Sequence, residues 1–300
     1  MPLTVPPRPA VRRRLRVAPP FRLDLTVAAL RRVHTNRVDV FDGERYLRAF
    51  STARGPVVWE VRQSDDEHLE VALHGAVDDA AIHLELLDRM LAPSFDLGPF
   101  YARSSAAPAP FFRLVERFEG MKPPRTCSLW ETFVNTIPFQ QLSRLKSAMT
   151  VLGRLIETTS VPVEFEGRIL HPLPDPGRFL RLDDGAIRSV GLSGTKARAL
   201  REAAEAVHTG AVDERSLEAL DSGALAKRLR SFHGVGPWTA ELMLLRGFRR
   251  LGTFPARDAG ATAALRAVLP GVDAARLLHE LGPYRGMLYY HLLLARGLPG

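Results

Sequence analysis

The stretch at residues 224–258, ALAKRLRSFHGVGPWTAELMLLRGFRRLGTFPARD, decides the fold. It reads as a helix, a tight glycine turn, a second helix and a loop that delivers one carboxylate. Residues 224–232 are mostly strong helix formers, and His233-Gly234-Val235-Gly236 then breaks the helix with two glycines, which can take positive φ or admit a second backbone closely. Pro237 restarts a helix at once, because a proline in the first turn gives up no hydrogen bond. Free amides then gather at the positive end of a helix, which suits an anion, and the glycines let a phosphate approach. Two glycines alone would fit an ordinary helical hairpin equally well.

Composition bounds the rest. A chain of 300 residues exceeds a usual single domain, and with 46% hydrophobic residues it can fill two or three cores. No apolar run reaches the roughly 18 residues of a membrane helix, and no signal-peptide core is present, so a soluble cytoplasmic protein with no membrane partner is expected. The single cysteine, Cys127, excludes an internal disulfide and a four-cysteine iron–sulfur cluster. Net charge is +8, and only four of the 41 basic residues are lysine. That balance favours a polyanionic partner such as nucleic acid. Arginine and alanine richness also follows genome base composition, so charge alone decides little.

Along the chain, residues 1–20 carry five arginines, six prolines and no acid, which reads as a flexible basic tail. Residues 21–92 form a small α+β domain. Val57, Trp59 and Val61 alternate with polar or second-face positions, as do Leu69, Val71 and Leu73, the pattern of half-buried antiparallel strands. Asp78 or Asp79 then caps a helix in which Ile82, Leu86 and Met90 recur every four residues. Pro, Ser and Ala crowd residues 92–110, a domain boundary, and residues 111–300 are helical in pattern. Pro, Gly and Asp make residues 155–182 an irregular connection, where His171 has no metal partner at a recognisable spacing. The fold class expected is mainly α with an N-terminal α+β domain.

The string Phe232-His233-Gly234-Val235-Gly236-Pro237-Trp238-Thr239-Ala240, with Asp258 twenty residues after Trp238, resembles the 3-methyladenine DNA glycosylase II family. This is the alkylation-repair branch of the helix-hairpin-helix DNA glycosylase superfamily. The resemblance implies that superfamily's fold: a hairpin at residues 224–247 and two helical lobes within residues 111–300, with the DNA cleft between them. The partner implied is double-stranded DNA with damaged bases, met at the nucleoid. No feature marks self-association, so a monomer is expected.

Site residues follow from the same resemblance. Asp258 is the expected catalytic carboxylate, although an aspartate before Ala259-Gly260-Ala261 is also an excellent helix cap, and the two roles are compatible. Trp238 stands where bifunctional relatives place a lysine for Schiff-base attack, which implies a hydrolytic enzyme without lyase activity. Trp238 and Tyr284 are the expected base-pocket walls, with simple core packing the alternative for Trp238. Leu242 departs from the family, some members of which carry tyrosine there. Gly234, Gly236 and Thr239 are expected to meet the DNA backbone. Backbone carbonyls of Arg230, Phe232 and Val235 are the family's ligands for a monovalent cation, with no further cofactor required.

Residues 137–143, IPFQQLS, are similar to the family's turn that fills the gap left by an extruded nucleotide, with Phe139 where glycine is usual. Gln141 is then the DNA wedge; equally, Gln140 and Gln141 read as amides satisfying buried backbone groups. Thr195 is the expected cap of the next helix, and Lys196 and Arg198 lie near the DNA backbone or are simply solvated. Two other functions fit the residues less fully: a glycosylase for oxidised or mismatched bases, and a non-catalytic hairpin DNA-binding protein.

Overall fold

Strands form where apolar residues alternate, and the first of them lie in the expected tail. In the computed structural model, which describes residues 1–32, 36–141 and 145–297, the chain begins with β1 (Leu3–Thr4), β2 (Val11–Arg16), α1 (Leu23–Arg31) and β3 (Asp39–Phe41). It continues through β4 (Arg45–Thr52), β5 (Gly55–Asp65), β6 (His68–Gly75) and α2 (Ala80–Leu91), the last capped by Asp79. An antiparallel sheet runs in the order β2-β6-β5-β4-β3. Residues 1–20 are therefore not a flexible tail: Val11 and Leu15 pack on the sheet's core, and Arg12, Arg14 and Arg16 sit on the exposed side.

Tyr46, Trp59, Val61, Leu69, Val71 and Leu73 face α1 and α2 across one core. Leu47, Ala49 and Val58 point the other way and meet Val5 and a second small sheet. That sheet joins β1 to β7 (Val163–Phe165) and β8 (Arg168–Leu170), so the expected irregular connection contains a strand hairpin. Glu166 and Gly167, both at positive φ, make its two-residue turn.

The helices follow: α3 (Gly98–Ser105), α4 (Ala109–Arg117), α5 (Leu129–Val134), a 3-10 turn at Ile137–Phe139 and α6 (Leu145–Thr159). Then come α7 (Pro176–Leu180), α8 (Asp184–Ser189), α9 (Gly194–His208), α10 (Glu214–Glu218) and α11 (Ser222–Leu229). The last are α12 (Pro237–Phe248), α13 (Ala259–Val268), α14 (Ala274–Leu281), a 3-10 turn at Gly282–Tyr284 and α15 (Arg285–Gly297). Residues 92–110, the expected domain boundary, include α3 and the start of α4, and Leu97 and Phe100 are buried in a helical core. Leu142 and Ser143 of the expected wedge turn, and residues 298–300, lie outside the described residues.

Two helical cores result. One gathers Trp130, Phe133, Leu152, Phe179, Leu200 and Leu229; the other gathers Leu25, Phe100, Phe111, Leu265, Leu277 and Tyr290. Helix α12 serves both. Ala240, Met243, Leu244 and Phe248 enter the first core while Leu242 and Leu245 enter the second, which is why this helix is apolar almost all round. It does not stop at Gly247, where a Cβ would lie 2.6 Å from Thr132; the glycine allows α5 to approach.

A buried ion network ties the sheet to α5. Arg48 donates to Asp39 at 2.7 Å and to Glu131 at 2.6 Å, and all three are at least 97% buried. Burial, with Glu131 beside it, pushes the Cys127 thiol up, so the lone cysteine is kept protonated. Helix α5 leads directly into the 3-10 turn and Gln140-Gln141. The sheet domain therefore fixes one edge of the candidate site.

Candidate nucleic-acid interface and catalytic carboxylate

The hairpin forms as its glycines require. Gly234 sits at φ +74, and a Cβ there would come within 2.9 Å of the Ala199 Cβ, so glycine is needed for conformation and for space. Gly236 is different. It is the N-cap of α12 at φ −83, and a Cβ would meet nothing within 4 Å. The fold therefore does not demand glycine at 236, yet its absence of a side chain leaves the helix end open. No side chain caps α12. Because Pro237 lacks an N–H, the amides of Gly236, Trp238 and Thr239 make up the positive end.

Thr239 is 97% buried, and its hydroxyl accepts from Gln140 Nε2 at 2.9 Å. What it can offer an anion is its amide. Among the three carbonyl candidates for a cation, that of Phe232 already accepts from the Val235 amide at 3.2 Å. A carbonyl oxygen has a second lone pair, so this bond does not exclude a cation from the Phe232 carbonyl. Arg230 caps the end of α11, which places its carbonyl at the negative end of that helix. Among the described residues, no cluster of three or more His, Cys, Asp or Glu side chains is arranged for a metal.

Asp258 is held from two elements. Its Oδ1 caps α13 by accepting from the Ala261 amide at 2.7 Å. Its Oδ2 accepts from the Trp238 indole Nε1 at 3.0 Å, across twenty residues of chain. The carboxylate is half-buried, and each oxygen keeps a lone pair for a water or a sugar. Trp238 thus does more than pack: its ring lies against the second core while its N–H orients the carboxylate. Sequence reading missed this bond, for which no local pattern exists.

Tyr284 ends the 3-10 turn before α15 and is half-buried against the same core, its ring 6.3 Å from that of Phe100. The structure brings Trp238 and Asp258 into direct contact; Tyr284 packs against the same core as the Trp238 ring, and among the described residues it hydrogen-bonds to neither. Leu242 is 99% buried in that core.

The two glutamines differ in their contacts. Gln140 satisfies backbone, donating to the Gly234 carbonyl at 2.7 Å as well as to Thr239. Gln141 is exposed at φ +54, and its side chain makes no hydrogen bond among the described residues. Lys196 is not a free surface cation, since it donates to the carbonyls of Pro138 and Gln140. The cap of α9 is Ser193, not Thr195, and the exposed Arg198 pairs with Glu202.

Arg32, unremarked in the sequence, ends α1 and is 92% buried, with its guanidinium 4.7 Å from the centre of the Phe139 ring. Burial lowers it to about 10; nearby Arg246 reinforces that, while Tyr289 and Asp258 oppose it. It places a buried positive charge within the field of the candidate carboxylate.

Comparison with known proteins finds partial relatives and solved structures of the same fold. No family model matches the chain. A probable bifunctional transcriptional activator/DNA repair enzyme AlkA of Mycobacterium tuberculosis is 31% identical over 187 residues, covering 60% of this chain and 36% of that protein. A DNA-3-methyladenine glycosylase of Bacillus subtilis is 24% identical over 171 residues, 57% of this chain and 56% of the other. The 3-methyladenine DNA glycosylase of Archaeoglobus fulgidus superposes with a TM-score of 0.77 at 21% identity, over 95% of this chain and 98% of that one. Over part of its length the chain is similar to these alkylation-repair proteins, and it shares the fold of the Archaeoglobus glycosylase. It spans about a third of the length of the mycobacterial relative and over half of the Bacillus one.

Proposed function

We propose that the chain is a monofunctional DNA glycosylase that turns alkylated bases such as 3-methyladenine out of duplex DNA and hydrolyses the N-glycosidic bond, leaving an abasic site. The observation that carries this reading is the Asp258 carboxylate, held by the Ala261 amide and the Trp238 indole on the chain that leaves the uncapped start of α12. The names of the mycobacterial and Bacillus relatives support it.

The hairpin amides would take a DNA phosphate, and a monovalent cation on the carbonyls of Arg230, Phe232 and Val235 would add positive charge beside it. Gln141 would fill the space of the extruded nucleotide, a step that costs a few kcal/mol and less for a damaged base. As the bond from C1′ to the base lengthens, its electron pair leaves with the base and positive charge builds on the sugar. The fixed carboxylate stabilises that charge and orients the water whose oxygen bonds C1′, its proton passing to the carboxylate or to solvent. N3-methyladenine carries positive charge in DNA and departs neutral, so the reaction needs no strong general acid. Trp238 has no amine with which to form a Schiff base, so the strand stays intact. The rings of Trp238 and Tyr284 favour a cationic base over a normal one. The enzyme would act as a monomer on chromosomal DNA inside the cell.

Incubation of the purified protein with methylated duplex DNA tests the reading through the released bases and the strand. Free methylated purine with an intact strand bearing alkali-labile sites is expected. Binding without release would leave a DNA-binding module, and release of oxidised bases alone would replace the substrate class.

A further inference from the structure

The turn that carries Gln141 is gripped from two directions. Lys196, in the first turn of α9, donates from Nζ to the Pro138 carbonyl at 3.0 Å and to the Gln140 carbonyl at 2.6 Å. The Gln140 side chain reaches the opposite way, to the Gly234 carbonyl at 2.7 Å and the Thr239 hydroxyl at 2.9 Å. Helix α9 touches the hairpin as well, because Ala199 fills the space a Gly234 side chain would need. One helix therefore contacts both loops that the proposed function brings to DNA.

Lys196 is placed badly for phosphate and well for this turn. An ammonium has three donors, and two of these are used on carbonyls inside the protein. Burial lowers its pKa. Gln141 at φ +54 sits in a region that costs a non-glycine residue free energy, and such positions persist where their surroundings over-determine them. The Lys196 ammonium is one of those surroundings.

We propose that Lys196 is a positioning residue that locks the Gln141 turn to the hairpin, so that wedge and phosphate grip meet the duplex in a fixed register. The proposal rests on the glycosylase reading and on Gln141 as its wedge. It makes Lys196 act through the turn, without touching the DNA.

The test follows extrusion by the fluorescence of 2-aminopurine placed beside a lesion, with single-turnover excision and salt-dependent affinity for undamaged duplex measured in parallel. Lys196→Met should keep wild-type affinity and salt slope while extrusion and excision fall about tenfold, and Lys196→Arg should recover most of the loss. Lys196→Gln is read beside Met, because its neutral donor keeps one carbonyl satisfied and guards against a folding defect; a fall in extrusion at an unchanged melting temperature again supports the proposal. A salt slope reduced by about one, with affinity lost in proportion, would make Lys196 a phosphate contact and overturn it. So would wild-type extrusion by the Met variant. Gln141→Ala separates the layers: if it extrudes and excises normally, the wedge reading and the proposal both fall, whereas a defect in Gln141→Ala with none in Lys196→Met removes the proposal alone.

Discussion

Helices α12 and α13 follow one another in the chain, and their N-terminal ends are completed in opposite ways. Gly236 leaves the amides of α12 bare, whereas Asp258 fills the start of α13 with a carboxylate. A bare positive end attracts an anion from outside; a filled one holds an anion of its own where a reaction needs negative charge. Trp238 links the two, since it stands in the first turn of α12 and donates to the cap of α13. The rest of the molecule supplies the control. Asp79, Asp175, Asp183, Asp213, Asp221 and Asp273 cap their helices through the same kind of bond. Among the described residues, only Asp258 also has an indole N–H on a carboxylate oxygen.

The comparison breaks most sharply at Asp258 itself. Serine caps a helix about as well as aspartate but carries no charge. Asp258→Ser should therefore melt near wild type while single-turnover excision falls about 10²- to 10³-fold, by analogy with loss of one transition-state electrostatic contact. If the serine enzyme excises normally, Asp258 is a cap and nothing more. Trp238→Phe keeps a ring and removes the donor, and excision should drop about tenfold, the cost of one hydrogen bond to a charged group. An unchanged rate would return Trp238 to packing alone. Gly236→Asp makes α12 resemble its neighbour. There is room for the side chain, so the fold should survive while affinity for duplex DNA falls about tenfold, an effect that added salt compresses.

The smallest effects belong to the ordinary caps. Asp273→Ala should cost about 1 kcal/mol in unfolding free energy and leave excision untouched. The amides of Ala224 and Gly223 hold the Asp221 carboxyl below its ordinary range. A carboxylate whose folded pKa is depressed adds stability that is full above its unfolded pKa and is lost as pH falls through the folded one. Melting curves of wild type and Asp221→Ala should differ at neutral pH and draw together in acid; a constant gap would remove the charge from the explanation.

The hairpin and Asp258 were legible because glycine, proline and a capping aspartate act through local backbone geometry. The sheet's first strand was not. In VRRRLR the apolar alternation of Val11 and Leu15 is masked by arginines that line the exposed side, and prolines stand on both flanks. The hairpin of β7 and β8 hid for a related reason: three-residue strands become stable only against Leu47, Ala49 and Val58, more than a hundred residues away. The bond from Trp238 to Asp258 and the grip of Lys196 on its turn are tertiary contacts, and nothing local in the sequence marks Arg32 as buried. Gln140 and Gln141 are adjacent and chemically identical, so only the fold could assign one to the backbone and leave the other exposed.

The most direct test is Asp258→Asn titrated with one lesion-bearing duplex, with affinity and base release read from the same samples. The account predicts wild-type affinity with base release reduced by at least about two orders of magnitude, because asparagine keeps the cap and the shape and loses only the charge. Base release at the wild-type rate would contradict it.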